Sequence, residues 1–88
     1  MNEAISELGK RVKYLRRLKN LTQAQFAEKV GLSVNYISQI ETGLANPRLR
    51  TLLTLAQGLD VEIKGLFEPG QSVPIKSMEL ERGRKEEQ

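Results

Sequence analysis

Residues 23–42, QAQFAEKVGLSVNYISQIET, constrain the fold of this chain more than any other stretch. They predict two short helices joined by a tight turn. Gly31 takes positive φ at the turn without the penalty that a Cβ would bring, and Ala27 is small enough for one helix to approach the other closely. Three apolar residues recur at helical spacing and are expected to point inward: Val30, Ile37 and Ile40. The second helix then has a polar outer face.

Capping and turn residues divide the rest of the chain into helices. The segment TQAQ at residues 22–25 has the pattern of a capping box, in which Thr22 and Gln25 each bond the other's backbone N–H. Ser33 caps the next helix, and Pro47 restricts the loop that follows it. We therefore predict helices over residues 3–19, 23–30, 34–41, 49–57 and 63–67.

The apolar residues of these helices define one core. In the first helix they recur in steps of three and four, which indicates one buried stripe. The side chains predicted to be buried are Ile5, Leu8, Val12, Leu15 and Leu18 in the first helix, Leu52, Leu53, Leu55 or Ala56 and Leu59 in the fourth, and Ile63, Leu66 and Phe67 in the fifth. The predicted fold is an all-α five-helix bundle with a central helix-turn-helix.

The composition excludes several classes of protein. With 88 residues the chain has room for one small domain, which we place at residues 1–67, followed by a short C-terminal tail at 68–88. The chain has no cysteine and no histidine, which excludes disulfides and zinc fingers and removes the usual acid–base and nucleophilic groups. We therefore expect neither an enzyme nor a cofactor. No long apolar run predicts a membrane span or a secretory signal, so a cytoplasmic location is expected.

The net charge of +3 is unevenly distributed along the chain. Residues 10–19 hold six basic side chains and no acidic one, whereas residues 68–88 hold four basic and five acidic side chains, a net charge of −1. The folded part is therefore the basic part, as a nucleic-acid binder requires. A solvated helix face would explain the basic run equally well.

The third predicted helix carries the side chains best suited to contact base edges. Asn35 and Gln39 can each donate to and accept from adenine, and Val34 can contact a thymine methyl group. Tyr36 and Ser38 can reach a base or a phosphate. Any one of these residues alone would be taken as an ordinary exposed side chain. Together, on one face of a helix that fits the major groove, they favour double-stranded DNA as the ligand.

Phosphate contacts are expected at the ends of the helices. The second helix directs free N–H groups and the positive end of its dipole towards a phosphate. Thr22 and Gln23 stand there, and Gln23 is long enough to touch a base as well. Beyond the third helix, the candidates for phosphate contact are Thr42, Asn46, Arg48 and Arg50. Such contacts set register and supply salt-dependent affinity without reading sequence.

Arg16 and Glu41 are charged residues beside otherwise apolar surfaces. We predict that they pair and so tie the first helix to the end of the third. Because a partly buried pair costs desolvation, its expected role is to fix the angle of the recognition helix more than to add stability.

These motifs occur together in a known family. Residues 8–67 resemble the five-helix DNA-binding domain of phage repressors, such as the lambda repressor, and of Cro proteins, the xenobiotic-response-element (XRE) type of helix-turn-helix. The resemblance rests on the segments LTQAQFA, VGLS, YISQIETG and NP, in that order and spacing. It implies an all-α fold and binding to an operator, usually as a two-fold dimer.

The resemblance also implies roles for individual residues. By motif match, Gln23 falls at the family's glutamine that opens the second helix. The family's base-reading positions fall on Val34, Asn35 and Gln39, and its interhelical ion pair falls on Arg16 and Glu41. Three positions depart from the family: Val34 is apolar where a polar residue is common, Asp60 replaces a common glycine, and Glu62 replaces a common Ser or Thr cap.

The function that follows is regulation of transcription. We expect a repressor that binds a short palindrome as a homodimer, with half-sites about 34 Å apart. A phage-type repressor, a restriction–modification controller and an antitoxin would all share this pattern. The alternative is a protein-interaction module or antitoxin-type protein, which would bind its partner through Leu44 and Tyr36 or through residues 68–88.

Overall fold

The computed structural model describes residues 3–67, and all regular structure in that part is helical. The elements are α1 (Glu3–Leu18), α2 (Gln23–Val30), α3 (Val34–Glu41), α4 (Leu49–Leu59) and a 3₁₀ helix (Ile63–Phe67). The all-α prediction is confirmed. Residues 1, 2 and 68–88, and with them the predicted tail, lie outside the described residues.

The fifth predicted helix is a 3₁₀ helix, so residues 3–67 form four α-helices and one shorter helical element instead of a five-helix bundle. Five residues are too few to form a stable α-helix, and the central Gly65 weakens the helix further. The backbone adopts the tighter i→i+3 pattern, in which the Gly65 N–H donates to the Glu62 carbonyl at 2.8 Å.

The ends of α2 and the start of α3 are fixed by the residues that the sequence pointed to. Thr22 Oγ1 accepts from the Gln25 N–H (3.0 Å), and Gln25 Oε1 accepts from the Thr22 N–H (2.9 Å). Gly31 ends α2 in the left-handed region at φ +73°. Ser33 Oγ accepts from the Tyr36 N–H at 3.0 Å and caps α3. Three residues therefore suffice to connect α2 to α3.

The core lies where α1, α3, α4 and the 3₁₀ helix meet, and α2 covers one side of it. Its largest fully buried side chains are Val12, Phe26, Ile37, Ile40, Leu55 and Leu66. Burying a large apolar side chain of this kind stabilises the fold by about 1.5–3 kcal/mol relative to leaving it exposed. Ile37 and Ile40 both belong to α3, so the helix predicted to contact DNA is held by its inner face.

Three side chains that the sequence placed in the core are exposed: Leu18, Leu53 and Phe67. Leu52 and Leu53 are neighbours on α4, about 100° apart around its axis, and of the two only Leu52 packs against the core. Leu18 lies at the edge of the α1 stripe and is the last residue of that helix. Phe67 ends the 3₁₀ helix beside the fully buried Leu66.

Two glycines that the sequence analysis did not single out allow close helix packing. A Cβ on Gly9 of α1 would lie 2.8 Å from the Glu41 carbonyl oxygen and would also overlap the Ile40 carbonyl oxygen. A Cβ on Gly58 of α4 would overlap Val30 Cγ1 and lie 3.1 Å from Phe26 Cε1. The end of α3 therefore packs directly on the α1 backbone, and α2 packs on the α4 backbone.

Asp60 occupies the position where glycine is common in the family, and it ends α4 in the left-handed region at φ +59°. Asp is one of the few residues besides glycine that tolerate this conformation. Lys19 Nζ lies 2.6 Å from Asp60 Oδ2. The hydrogen bond and the charge of Lys19 lower the pKa of Asp60 below its usual value, against a small opposing effect of burial. The pair therefore joins the end of α1 to the end of α4.

The two roles of Asp60 can be separated by substitution. We expect Asp60→Ala to lower the free energy of unfolding by about 1–2 kcal/mol, because alanine is strained at positive φ. Asp60→Asn keeps the tolerated backbone and loses only the exposed ion pair, a change of about 0–1 kcal/mol. Urea unfolding at neutral pH measures both. Equal losses in the two variants would show that backbone strain is not the larger effect.

The same pair predicts a pH dependence at acid pH. Because the folded pKa of Asp60 is lowered, its contribution is complete above the unfolded pKa of about 3.9 and is lost as pH falls through the folded value. Unfolding curves of the native chain and of Asp60→Asn should therefore converge as the pH falls below about 4. A difference that stays constant down to pH 2 would contradict this assignment.

Candidate nucleic-acid interface

The outer face of α3 presents four of the five α3 side chains that were predicted to contact bases. Val34 and Asn35 are exposed, Ser38 and Gln39 are half-buried, and none of the four side chains is hydrogen-bonded to another group within residues 3–67. The inner face is anchored by fully buried isoleucines. One helix of eight residues thus combines a fixed apolar face with polar groups that remain available to a ligand.

Tyr36 differs from the other predicted base contacts on α3 because its half-buried side chain packs against the hydrophobic core. Less of the ring is available to DNA, or to a protein partner, than the sequence suggested. Leu44, the second residue proposed for protein contact, is strongly exposed in the loop after α3.

Arg16 and Glu41 form a buried, bidentate ion pair. Arg16 Nε donates to Glu41 Oε2 at 2.7 Å and Arg16 Nη2 donates to Glu41 Oε1 at 3.1 Å. The two side chains are only 7% and 2% exposed. Arg16 Nη1 also donates to the Leu21 carbonyl at 2.6 Å, so this one guanidinium joins α1, the α1–α2 connection and the last residue of α3. The pair holds the C-terminal end of α3 against α1.

Gln23 is bound to the same carboxylate, which the sequence analysis did not anticipate. Its Nε2 donates to Glu41 Oε1 at 3.0 Å, and the side chain is half-buried. The signal in the sequence was indirect: Gln23 opens α2 beside the turn, but nothing in the spacing shows that α2 begins next to the end of α3. The predicted DNA contact and the ion pair therefore form one connected group.

The loop after α3 and the start of α4 supply the cationic part of the site. Asn46, Arg48 and Arg50 are exposed. Arg48 precedes the first helical residue and makes no side-chain cap, so the first N–H groups of α4 keep no partner from the helix itself. Two guanidinium groups beside an uncapped helix start form a suitable contact for a phosphate.

The two threonines predicted to contact phosphates have other bonds in this structure. Thr22 Oγ1 accepts from the Gln25 N–H, which leaves its own hydroxyl hydrogen free to donate. Thr42 Oγ1 donates to the Ser38 carbonyl at 2.9 Å and lies 3.3 Å from the Gln39 carbonyl. Because that hydroxyl hydrogen is used within α3, Thr42 would have to rotate its side chain to donate to a phosphate.

The basic run at residues 10–19 serves the fold more than the sequence suggested. Arg16 is in the buried ion pair, and Arg11 is buried with its Nε donating to the Gly65 carbonyl at 2.9 Å. Lys19 pairs with Asp60, and Lys10 lies 3.7 Å from Glu7. Lys10, Arg16 and Lys19 of this run are thus each paired with a carboxylate.

In the described part of the chain, no three side chains of a metal-ligating type are grouped closely enough to hold an ion.

The fold and the exposed face of α3 define a helix-turn-helix domain. The comparison with known proteins agrees: residues 12–66, well over half of the chain, match the model of the HTH_3 helix-turn-helix family. The chain belongs to this family. Among residues 3–67, no helix is long and apolar enough to cross a bilayer.

Individual relatives include phage and restriction–modification regulators. The chain is 38% identical over 80 residues to the immunity repressor protein of Bacillus phage phi105, covering 91% of this chain and 54% of the repressor, so it spans about half that relative's length. It resembles the structure of the restriction–modification controller protein C.AhdI from Aeromonas hydrophila, with 36% identity and a TM-score of 0.70, covering 72% of this chain and 96% of that one. It also resembles the controller C.Esp1396I, solved as a tetramer on its natural 35-base-pair operator, with 28% identity, a TM-score of 0.67 and coverage of 77% and 100%.

Proposed function

We propose that this protein is a sequence-specific transcriptional regulator that represses by placing α3 in the major groove of its operator. The observation that carries the proposal is the outer face of α3, where Asn35, Ser38 and Gln39 offer hydrogen-bonding groups that the fold does not use. The uncapped start of α4 with Arg48 and Arg50 provides a phosphate contact beside it. A protein with this role binds duplex DNA and needs no catalytic group. The compartment that we propose for it is the cytoplasm.

We further propose that the protein binds as a homodimer on a palindrome. Leu49 and Leu53 lie one turn apart on the exposed side of α4, and the Phe67 side chain is exposed at the end of the 3₁₀ helix. A second copy of the chain could cover such apolar groups. The relative C.Esp1396I forms a tetramer on its operator. A two-fold dimer requires half-sites about 34 Å apart. A protein partner for residues 68–88 stays a separate prediction.

The test of this function is selection from a random duplex pool, followed by affinity measurements across a salt series. A palindromic sequence should be enriched, and its affinity should fall steeply with salt because bound cations are released from the phosphates. Equal, weak binding to every duplex would contradict the proposal. It would favour the protein-interaction alternative.

Two substitutions separate base contacts from phosphate contacts on the selected operator. Gln39→Ala should cost about 1–3 kcal/mol of binding at one base pair and relax the preference there. Arg48→Ala should weaken binding to all sequences about equally and reduce the salt slope by about one. Fluorescence anisotropy with the operator and its single-base variants measures both effects.

The matched control for these variants is Lys64→Ala, which removes an exposed charge of the 3₁₀ helix outside the proposed contact. It should leave both the base preference and the salt slope nearly unchanged. If Gln39→Ala and Arg48→Ala behave alike on every sequence, the division into base and phosphate contacts is wrong.

A further inference from the structure

The Gln23 side chain is hydrogen-bonded to the Glu41 carboxylate of the ion pair, and this bond is not part of the capping of α2. The capping box at the start of α2 is completed by Thr22 and Gln25, and Gln23 is not part of it. The Gln23 side chain instead donates from Nε2 to Glu41 Oε1 at 3.0 Å. Both Glu41 oxygens are also held by Arg16, and the Glu41 side chain is 2% exposed. The acceptor is therefore fixed in place before any ligand arrives.

A carboxylate can only accept hydrogen bonds, and this determines which end of the Gln23 amide points towards it. The amide must present its NH₂ group to Glu41, because the opposite orientation would bring two acceptors together. The carbonyl oxygen Oε1 is then directed away from the ion pair. One of the two Nε2 hydrogens is used, while the other hydrogen and both lone pairs of Oε1 remain available.

We propose that Glu41 is a positioning residue that fixes the Gln23 amide with its carbonyl oxygen outward, so that Gln23 accepts from a base amino group. The amino groups presented in the major groove are N6 of adenine and N4 of cytosine. Through Oε1, Gln23 therefore contacts one of these two bases, and the remaining Nε2 hydrogen can donate to a neighbouring acceptor such as adenine N7. This inference rests on the proposed function, since it assigns a specificity to one residue of the same DNA contact.

The arrangement also favours binding by holding the amide in one orientation in advance. A free glutamine side chain must lose rotamer freedom when it binds, whereas an amide already held by a buried acceptor has lost most of that freedom. Gln39, which has no such partner within residues 3–67, lacks this advantage. The two glutamines thus differ in how strongly the fold fixes them.

The test compares Gln23→Ala in two backgrounds, the native chain and the double variant Arg16→Met/Glu41→Leu. The double variant removes the carboxylate but replaces the ion pair with apolar groups, a change that folded proteins often tolerate. Affinities are measured for the selected operator and for its single-base variants. In the native background, Gln23→Ala should weaken binding about tenfold and remove the preference at one base pair for the orientation that places its amino group, on adenine or cytosine, on the contacted strand.

In the double-variant background that preference should already be reduced, and Gln23→Ala should change affinity less than about twofold. The preference that depends on Gln39 should persist in both backgrounds, which separates positioning of Gln23 from a general tilt of α3. Failure of the native chain to select any operator would overturn the proposed function itself. Operator binding with an equal effect of Gln23→Ala in both backgrounds would overturn only the role given to Glu41.

A second measurement does not depend on the double variant folding. In the free native chain, nitrogen-15 relaxation of side-chain amides should show the Gln23 NH₂ group to be ordered and the exposed Gln57 NH₂ group to be mobile. A Gln23 amide as mobile as that of Gln57 would overturn the proposal, because a side chain that moves freely is not positioned by Glu41.

Discussion

Replacing Arg16 with methionine is expected to lower the free energy of unfolding by about 3–5 kcal/mol, the usual loss when one partner of a buried ion pair is removed. Among residues 3–67, the buried Glu41 carboxylate would then keep only Gln23 as a side-chain hydrogen-bond donor, and the Leu21 carbonyl would lose its bond as well. For a domain this small, such a loss approaches the whole stability, which for folded proteins starts at about 5 kcal/mol. Circular dichroism during urea unfolding gives the value.

Two further variants make the Arg16 result specific. Arg16→Met/Glu41→Leu should recover most of the lost stability, so the double-mutant cycle should show strong coupling. Lys10→Met removes one partner of an exposed pair on the same helix and should change stability by less than about 1 kcal/mol. If the losses of stability in Arg16→Met and in Glu41→Leu add up to the loss in the double variant, Arg16 and Glu41 do not act as a pair.

Replacing Gly9 with alanine is expected to be the second most damaging change. A Cβ at this position would overlap the Ile40 carbonyl oxygen and lie 2.8 Å from the Glu41 carbonyl oxygen, and backbone atoms cannot turn aside as a side chain can. Overpacking of this kind typically costs about 1–3 kcal/mol and occasionally more, and the higher helix propensity of alanine returns only about 1 kcal/mol. Because the overlapping atoms belong to the backbone, we expect the upper end of this range, a net loss of about 2 kcal/mol, measured by thermal or urea unfolding.

The other interior glycines serve as controls for Gly9. A Cβ on Gly65 would meet Val61 at no less than 3.4 Å, an ordinary contact, so Gly65→Ala should be close to neutral. Gly58→Ala should lie in between, because the atom it would overlap is the end of the half-buried Val30 side chain, which can move. Should all three variants behave alike, loss of chain flexibility and not packing would be the common cause.

The boundaries of α2 and α3 could be predicted from the sequence because they depend on local chemistry. Thr22 and Gln25 form their capping box within four residues, and Gly31 adopts the left-handed conformation with which it ends α2. The prediction ended α1 one residue too late and α4 two residues too early. The all-α class and most of the core followed from helical periodicity. The assignment of the last element as an α-helix failed, because five residues around Gly65 leave too few i→i+4 bonds and the shorter 3₁₀ pattern is favoured.

Apart from the Arg16–Glu41 pair, contacts that depend on how the helices cross could not be predicted from the sequence. Periodicity shows which face of α1 is apolar, but not that the end of α3 lies on Gly9 or that Arg11 reaches Gly65. A glycine inside a helical pattern was the one available signal, since such a residue often has a packing reason. Periodicity also misplaced Leu53, which lies outside the buried stripe of α4 that contains Leu55, Ala56 and Leu59.

The exposed side chains of α3 lie outside the packed core. Val34 and Asn35 are exposed, and α3 is fixed by Ile37 and Ile40 on its other face and by the Ser33 cap at its start. Substitutions on the outer face can therefore alter the DNA sequence that is bound while the chain keeps folding. A scaffold of this kind can acquire a new operator by a few point mutations, so that related regulators can diverge in their targets without any intermediate that fails to fold.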